Sequence, residues 1–237
     1  MQIVELQRPK RAKRSPKKSY HNTYVVTYPD AYLVVTAILD ASKNDKTGAM
    51  VQTYLISRER IGEKTVFGAK CEECPLVDVC YVTRDKQSVR KALVKLLGEE
   101  KTSYVHATLD EVLPALNGRS IRFGSYGDPT AVPFEDLKRL ADACIEWTGY
   151  THFWRDVDHR YSELLMASVE NIGGELEAWR EGWRPFRVIL DSEETVLVTE
   201  NMIECPHYTR GVQCITCGLC RGTSNQAKGI YVYQHGN

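Results

Sequence analysis

The stretch from Cys205 to Cys220 limits what this chain can become more than any other. Cys214, Cys217 and Cys220 form a C-x2-C-x2-C run, and Cys205 stands upstream of it with eight residues between. Thiols so close along a chain pair poorly as disulfides, yet they can wrap one metal centre. Four thiolates accept either tetrahedral zinc or an iron-sulfur cluster. The tight triplet, followed by Arg221-Gly222-Thr223, is closer to the cluster-binding runs of ferredoxins. Zinc ribbons usually separate two C-x2-C knuckles by roughly a dozen residues or more.

A second group, Cys71, Cys74 and Cys80, has C-x2-C-x5-C spacing and is one thiol short of a closed site. Its fourth ligand comes from elsewhere in the fold or is an exchangeable molecule. A cluster with one iron free of cysteine binds a substrate or cofactor directly. The alternative is a zinc site completed by His106, His207 or a carboxylate. Cys144 shares an apolar stripe with Phe134, Leu137, Leu140, Ala141 and Ile145, so it is expected to be a small buried hydrophobe rather than a ligand.

Eight cysteines in 237 residues are too few for a disulfide framework, and their close spacing suits reduced thiolates in a cytosol. No secretory h-region or bilayer-length apolar run is present, so a cytoplasmic protein without membrane contact is expected. Lys plus Arg equals Asp plus Glu at 31 each, which leaves no strong overall field toward nucleic acid. The basic residues are unevenly placed. Arg8, Lys10, Arg11, Lys13, Arg14, Lys17 and Lys18 crowd an arm over residues 1–20, expected to be disordered. Residues 8–18 either contact nucleic-acid phosphates weakly or form a solvated tail. Residues 21–237 are expected to form a single α/β domain with a cysteine-rich lobe at 200–225.

Within that domain, β-branched and aromatic runs at 24–27, 32–38 and 51–56 predict strands, the first two separated by Pro29-Asp30. The polar segment 42–48 reads as a connector. Helical spacing predicts helices behind Ser88 and behind Phe134, one through Leu176 and Trp179, and one behind a Thr108/Glu111 capping box. Strands are expected near 120–124, 149–154, 164–169, 185–190 and 229–236. Strands alternating with helices imply parallel pairing with right-handed crossovers. Polar residues gather where such strands end: Ser125, Asp128, His152, Ser168 and Glu170. They are the candidate catalytic residues for a small-molecule substrate, because sites in parallel α/β folds lie at the carboxyl ends of strands. For His152, a hydrogen-bonded core imidazole is the competing reading.

Taken together, Lys46-Thr47-Gly48, the Cys71 to Tyr81 segment, Ser125-Tyr126-Gly127-Asp128-Pro129, Thr148-Gly149-Tyr150-Thr151-His152, Met166-Ala167-Ser168-Val169 and the Cys205 to Cys220 quartet resemble a group of phage-encoded cysteine-rich proteins of unassigned function. That resemblance implies a viral gene product expressed in a bacterial host cytoplasm. The order of strand, cysteine loop, helix and alternating strands is also loosely similar to radical S-adenosylmethionine enzymes. In that family the three-cysteine loop is usually C-x3-C-x2-C. This second likeness implies a partial β/α barrel, a [4Fe-4S] cluster at Cys71, Cys74 and Cys80, and S-adenosylmethionine as a cofactor. The leading expectation is therefore an iron-sulfur protein with electron-transfer or reductive-cleavage chemistry. Its rival is a zinc-stabilised binding module that touches nucleic acid through the arm.

Overall fold

In the computed structural model, residues 23–36, 45–59, 68–80, 104–190, 192 and 196–234 are described. The basic arm and the helix expected behind Ser88 lie outside them.

β1 (Thr23–Thr27) and β2 (Ala31–Thr36) form an antiparallel hairpin around Pro29-Asp30, and β3 (Val51–Ser57) adds to β2 in the same sense. The expectation of parallel pairing fails for these three strands; between β1 and β2 the three-residue connection 28–30 is far too short for a crossover. From β3 onward the pairing is parallel. β5 (Ser120–Tyr126) lies beside β3, β6 (Glu146–Thr148) beside β5, and the short β4 (Val105–His106) closes the far edge on β1. The order of this sheet is β4-β1-β2-β3-β5-β6.

A second, wholly parallel sheet holds β7 (Tyr150–Thr151), β8 (Met166–Val169), β9 (Pro185–Ile189), β10 (Met202–Glu204) and β11 (Gly229–Tyr233), in the order β10-β11-β9-β8-β7. The molecule is thus mixed α/β with two parallel-rich sheets. Only Gly149 separates β6 from β7. A Cβ there would sit 2.6 Å from Leu165 Cδ2 and 3.0 Å from Phe123 Cβ, so the crossing from one sheet to the other needs glycine.

Helices fill the crossovers. In α1 (Leu109–Val112) the Glu111 carboxylate accepts from the Thr108 amide at 2.8 Å and the Thr108 hydroxyl at 3.0 Å, as the capping box requires. α2 (Phe134–Asp142) buries Phe134, Leu137, Leu140 and Ala141. It stops at Asp142, so the periodicity lapses before the stripe is complete. Cys144 is only half-buried against the core, and Ile145 is 63% exposed rather than on the buried face. α3 (Ile172–Arg180) is capped by the Asn171 side chain, which accepts from Gly174 N–H at 2.9 Å.

The main core joins both sheets and the helices through Leu33, Leu55, Phe123, Leu137, Leu165 and Trp183, among others. A smaller core of Met166, Phe186, Cys205, Ile230 and Val232 has Tyr150, Leu219 and Cys220 packed against it. Alternation along β8 sends Ala167 and Val169 to the first core and Met166 to the second. The second sheet is therefore buried on both faces, and one of those faces carries the C-terminal cysteines. No helix among the described residues is long and apolar enough to cross a membrane.

Candidate metal centres

The cysteines form two groups with different neighbours. Cys205 follows β10 and is buried, and its amide donates to Tyr231 O at 3.0 Å. The chain then turns through α4 (Pro206–Arg210) and Gly211, whose φ is 67°. Cys214 and Cys217 begin and end the single turn of α5 (Cys214–Cys217), and Gly218, with φ 61°, reverses the chain toward Cys220. The two left-handed glycines fold the run back on itself. As a result Cys205, Cys214, Cys217 and Cys220 line one cavity of about 20 Å³, together with Lys46, Tyr150 and His207.

This loop is fastened from an unexpected side. Cys214 N–H donates to Lys46 O at 2.8 Å, Ile215 N–H to Thr47 O at 3.3 Å, and the Gln213 side chain to Asp45 O at 2.8 Å. The segment read as a plain connector is thus, over its described residues 45–48, a strap on the cysteine loop. Gly48, with φ 67°, fits beneath Gln213 and Ile215, each of which would lie 2.9 Å from a Cβ. Gly149 N–H donates to Cys220 O at 3.1 Å and ties the other end of the loop to the junction between the sheets.

The surroundings of these thiols are basic. Burial pushes the Cys220 thiol up to about 12, and the Tyr150 hydroxyl donates to its sulfur. Burial also raises Cys214, against the pull of Lys46 and Arg122. Thiolates here are costly without a cation to share their charge and favourable with one.

The first group lies at the carboxyl ends of parallel strands. Beyond β3 the chain pairs Ile56 with Gly68 and passes Lys70, a residue at φ 61°, into one turn of 3₁₀-helix at Cys71–Glu73. Beyond β5, Asp128 N–H donates to Ala69 O at 3.0 Å, and Gly127 N–H donates to the Cys71 sulfur. Cys74 accepts similarly from Leu76 N–H. Burial raises Cys71 to about 12 and Cys74 to about 11, and each is raised further by its fellow cysteines and by Asp128. Glu170 also acts on Cys74.

Three of the five rim candidates are gathered here. Asp128 accepts from Thr130 N–H at 3.0 Å, Thr130 Oγ1 at 2.7 Å, Thr151 Oγ1 at 2.9 Å and His152 N–H at 3.1 Å. His152 Nε2 lies 4.0 Å from Glu170 Oε1, and neither buried atom has a hydrogen-bond partner among the described residues. Of the ring nitrogens of His152, only Nε2 is among the unpartnered buried atoms. Burial lowers the His152 pKa and raises that of Glu170. Both shifts disfavour the charged form of the group concerned.

The other two rim candidates have different roles. Ser125 donates to Gln52 Oε1 at 2.5 Å, and Ser168 is buried in β8, where its carbonyl accepts from Trp154 Nε1 at 3.2 Å. His207, considered as a ligand for the first cysteine group, lines the cavity of the second instead. His106 is exposed on the edge strand β4, its ring 5.1 Å from that of Tyr104. Sequence reasoning missed Lys46, Arg122, Tyr150 and Arg184, whose relation to the thiols exists only after folding.

No protein-family model, curated protein or solved structure matches the chain. The donors themselves must carry the test of fit to a metal. Among the described residues, no three His, Cys, Asp or Glu side chains are grouped closely enough to hold a metal ion as they stand. The C-terminal thiols ring a space rather than closing on a point. In chemistry the donor set fits: four soft thiols, a hydroxyl donor to one of them, and neighbouring cations.

Proposed function

We propose that this chain is an iron-sulfur protein with two centres, and that it acts as a radical S-adenosylmethionine-like enzyme. The observation that carries the reading is the convergence of Cys205, Cys214, Cys217 and Cys220 on one cavity. The amide and hydroxyl donors to Cys71, Cys74 and Cys220 support it, since hydrogen bonds to sulfur are among the features that tune such clusters.

In this reading the parallel strands β3, β5 and β6 continue through Gly149 into β7, β8, β9, β11 and β10 as a partial β/α barrel. Cys71, Cys74 and Cys80 hold a [4Fe-4S] cluster at its carboxyl end. Such a cluster would supply an iron free of cysteine for S-adenosylmethionine and, given one electron from an external reductant, the reducing power to cleave it. The protein's own groups provide the rest. Asp128 fixes the turn after β5 and the backbone of His152, while His152 Nε2 and Glu170 Oε1 offer a donor and an acceptor to a polar small molecule. The four C-terminal thiols hold an auxiliary centre on the second core.

Metal and acid-labile sulfide analysis of protein isolated without oxygen tests the reading. It requires iron and sulfide in near-equal amounts and broad absorption in the visible. A colourless protein with stoichiometric zinc would instead favour the zinc-stabilised binding module, which the same four thiols also accommodate.

A further inference from the structure

Two buried arginines, Arg184 just before β9 and Arg187 within it, are treated differently. Arg187 is fully buried and paired with Glu175 at 3.1 Å. Arg184 is 4% exposed, and its guanidinium donates to two carbonyls, Gly222 O at 2.6 Å and Lys228 O at 2.7 Å. Its Nε has no partner, and no carboxylate among the described residues pairs with it. Carbonyls orient a guanidinium without neutralising it, and a buried charge lacking a counter-charge is strongly unfavourable. An anion is missing from the account.

The neighbouring chain offers a place for one at the cysteine loop. Gly222 lies two residues beyond Cys220, and Cys220 O accepts from Gly149 N–H. Gly149 O in turn accepts from Met166 N–H, and Arg184 O from Ala167 N–H at 2.9 Å. This ladder brings Arg184 and Cys220 together beside β8. The ionisable neighbours of Arg184 are Cys220, a counter-charge only as a thiolate, and Arg221. Arg221 is itself engaged by Glu146 at 2.9 Å. Lys46 and Arg122 act on Cys214, the next thiol of the same cavity. The Cys71 group stands in contrast, with Asp128 and Glu170 as its charged neighbours.

The geometry points to Arg184 as the buried counter-charge of the C-terminal centre. The four-cysteine site is built to hold a centre of net negative charge, and Arg184 sets how tightly that centre is kept and how readily it is reduced. The inference rests on the two-centre reading above and deepens it. Arg184 is a positioning and charge-compensating residue, and it is not a ligand.

The test uses full-length protein prepared without oxygen. Arg184→Met and Arg184→Lys are each compared with Arg184 in a Cys74→Ala background, so that the C-terminal centre alone titrates. Arg184→Met should lower the midpoint potential by about 59 mV, which is tenfold in the reduction equilibrium of a one-electron couple. Arg184→Lys, which keeps the charge, should move it by less than half as much. Were the centre zinc, the same substitution should speed zinc loss to a chelator about tenfold.

A measurement independent of redox chemistry guards against a variant that fails to load. In protein stripped of metal, where no centre supplies the counter-charge, Arg184→Met should raise the urea midpoint over that of equally stripped parent protein, because the orphaned cation is gone. An unchanged potential or zinc-release rate in a loaded Arg184→Met protein would overturn this inference and leave the two-centre reading intact. A lowered urea midpoint in the stripped Arg184→Met protein would do the same. Absence of both iron and zinc from the parent protein would overturn both.

Discussion

The amide of Cys214 donates to the carbonyl of Lys46 across 2.8 Å, joining residues 168 positions apart at the edge of the C-terminal cavity; the Gln213 side chain and Asp45 O, also 168 apart, repeat the bond. The start of β3 and the metal loop are consequently one mechanical unit. Gly48 is its tightest point, and Gly48→Val adds about 1–2 kcal/mol of left-handed strain in addition to the clash with Gln213 and Ile215. The variant should fold, keep the metal of the Cys71 group and lose that of the Cys205 group. Metal analysis against the parent protein checks this.

Asp128 should matter for a different reason. Its carboxylate satisfies the Thr130 and His152 amides and two hydroxyls. Asp128→Ala leaves those donors without an acceptor, at about 1–3 kcal/mol for each that stays buried. Urea unfolding should record the loss of stability. Metal should leave the Cys71 group, whose loop is tied at Ala69 to the turn that the Asp128 carboxylate fixes, while the C-terminal centre persists.

The ion pair between Arg187 and Glu175 clamps α3 to β9. Glu175 Oε1 also accepts from Thr199 N–H at 2.8 Å, and Arg187 donates to Leu197 O, so the same pair fixes the segment leading to β10. Removing one partner of a buried pair costs about 3–5 kcal/mol, whereas replacing both with well-packed apolar residues is often neutral. Glu175→Leu should therefore be strongly destabilising by chemical denaturation, and Glu175→Leu with Arg187→Met should recover much of the loss.

Much of this arrangement was legible in the sequence because it depends on local spacing. The Thr108/Glu111 capping box, the apolar stripe of α2 from Phe134 to Ala141 and the strands at 120–126 and 185–189 follow from periodicity and turn chemistry alone. So does the placement of Asp128, His152 and Glu170 at strand ends. The strap from Lys46 to Gly48 was not legible, since its bonds run through backbone carbonyls that any residue could provide. Arg184 and Tyr150 were hidden for another reason. A cation or a phenol becomes part of a thiol site only through burial, and burial of a polar residue has no signature in a single sequence.

Cys144 provides a control among the thiols. Burial pushes it up to about 12, with Arg119 pulling the other way. In the unfolded chain a cysteine ionises near its ordinary value, so between that value and about 12 the unfolded state has released a proton that the folded state keeps. Stability contributed by this group is complete at neutral pH and falls as pH rises through that window. Cys144→Ala should therefore flatten the alkaline loss of stability, followed by thermal unfolding at stepped pH, and should keep the full metal content.

The most direct measurement is iron and acid-labile sulfide per chain in Cys74→Ala and Cys217→Ala proteins made without oxygen. Two separate centres require each variant to keep about half of the parent's iron, in the group that was left intact. Loss of all iron from either variant, or a parent protein that holds none, would contradict the account.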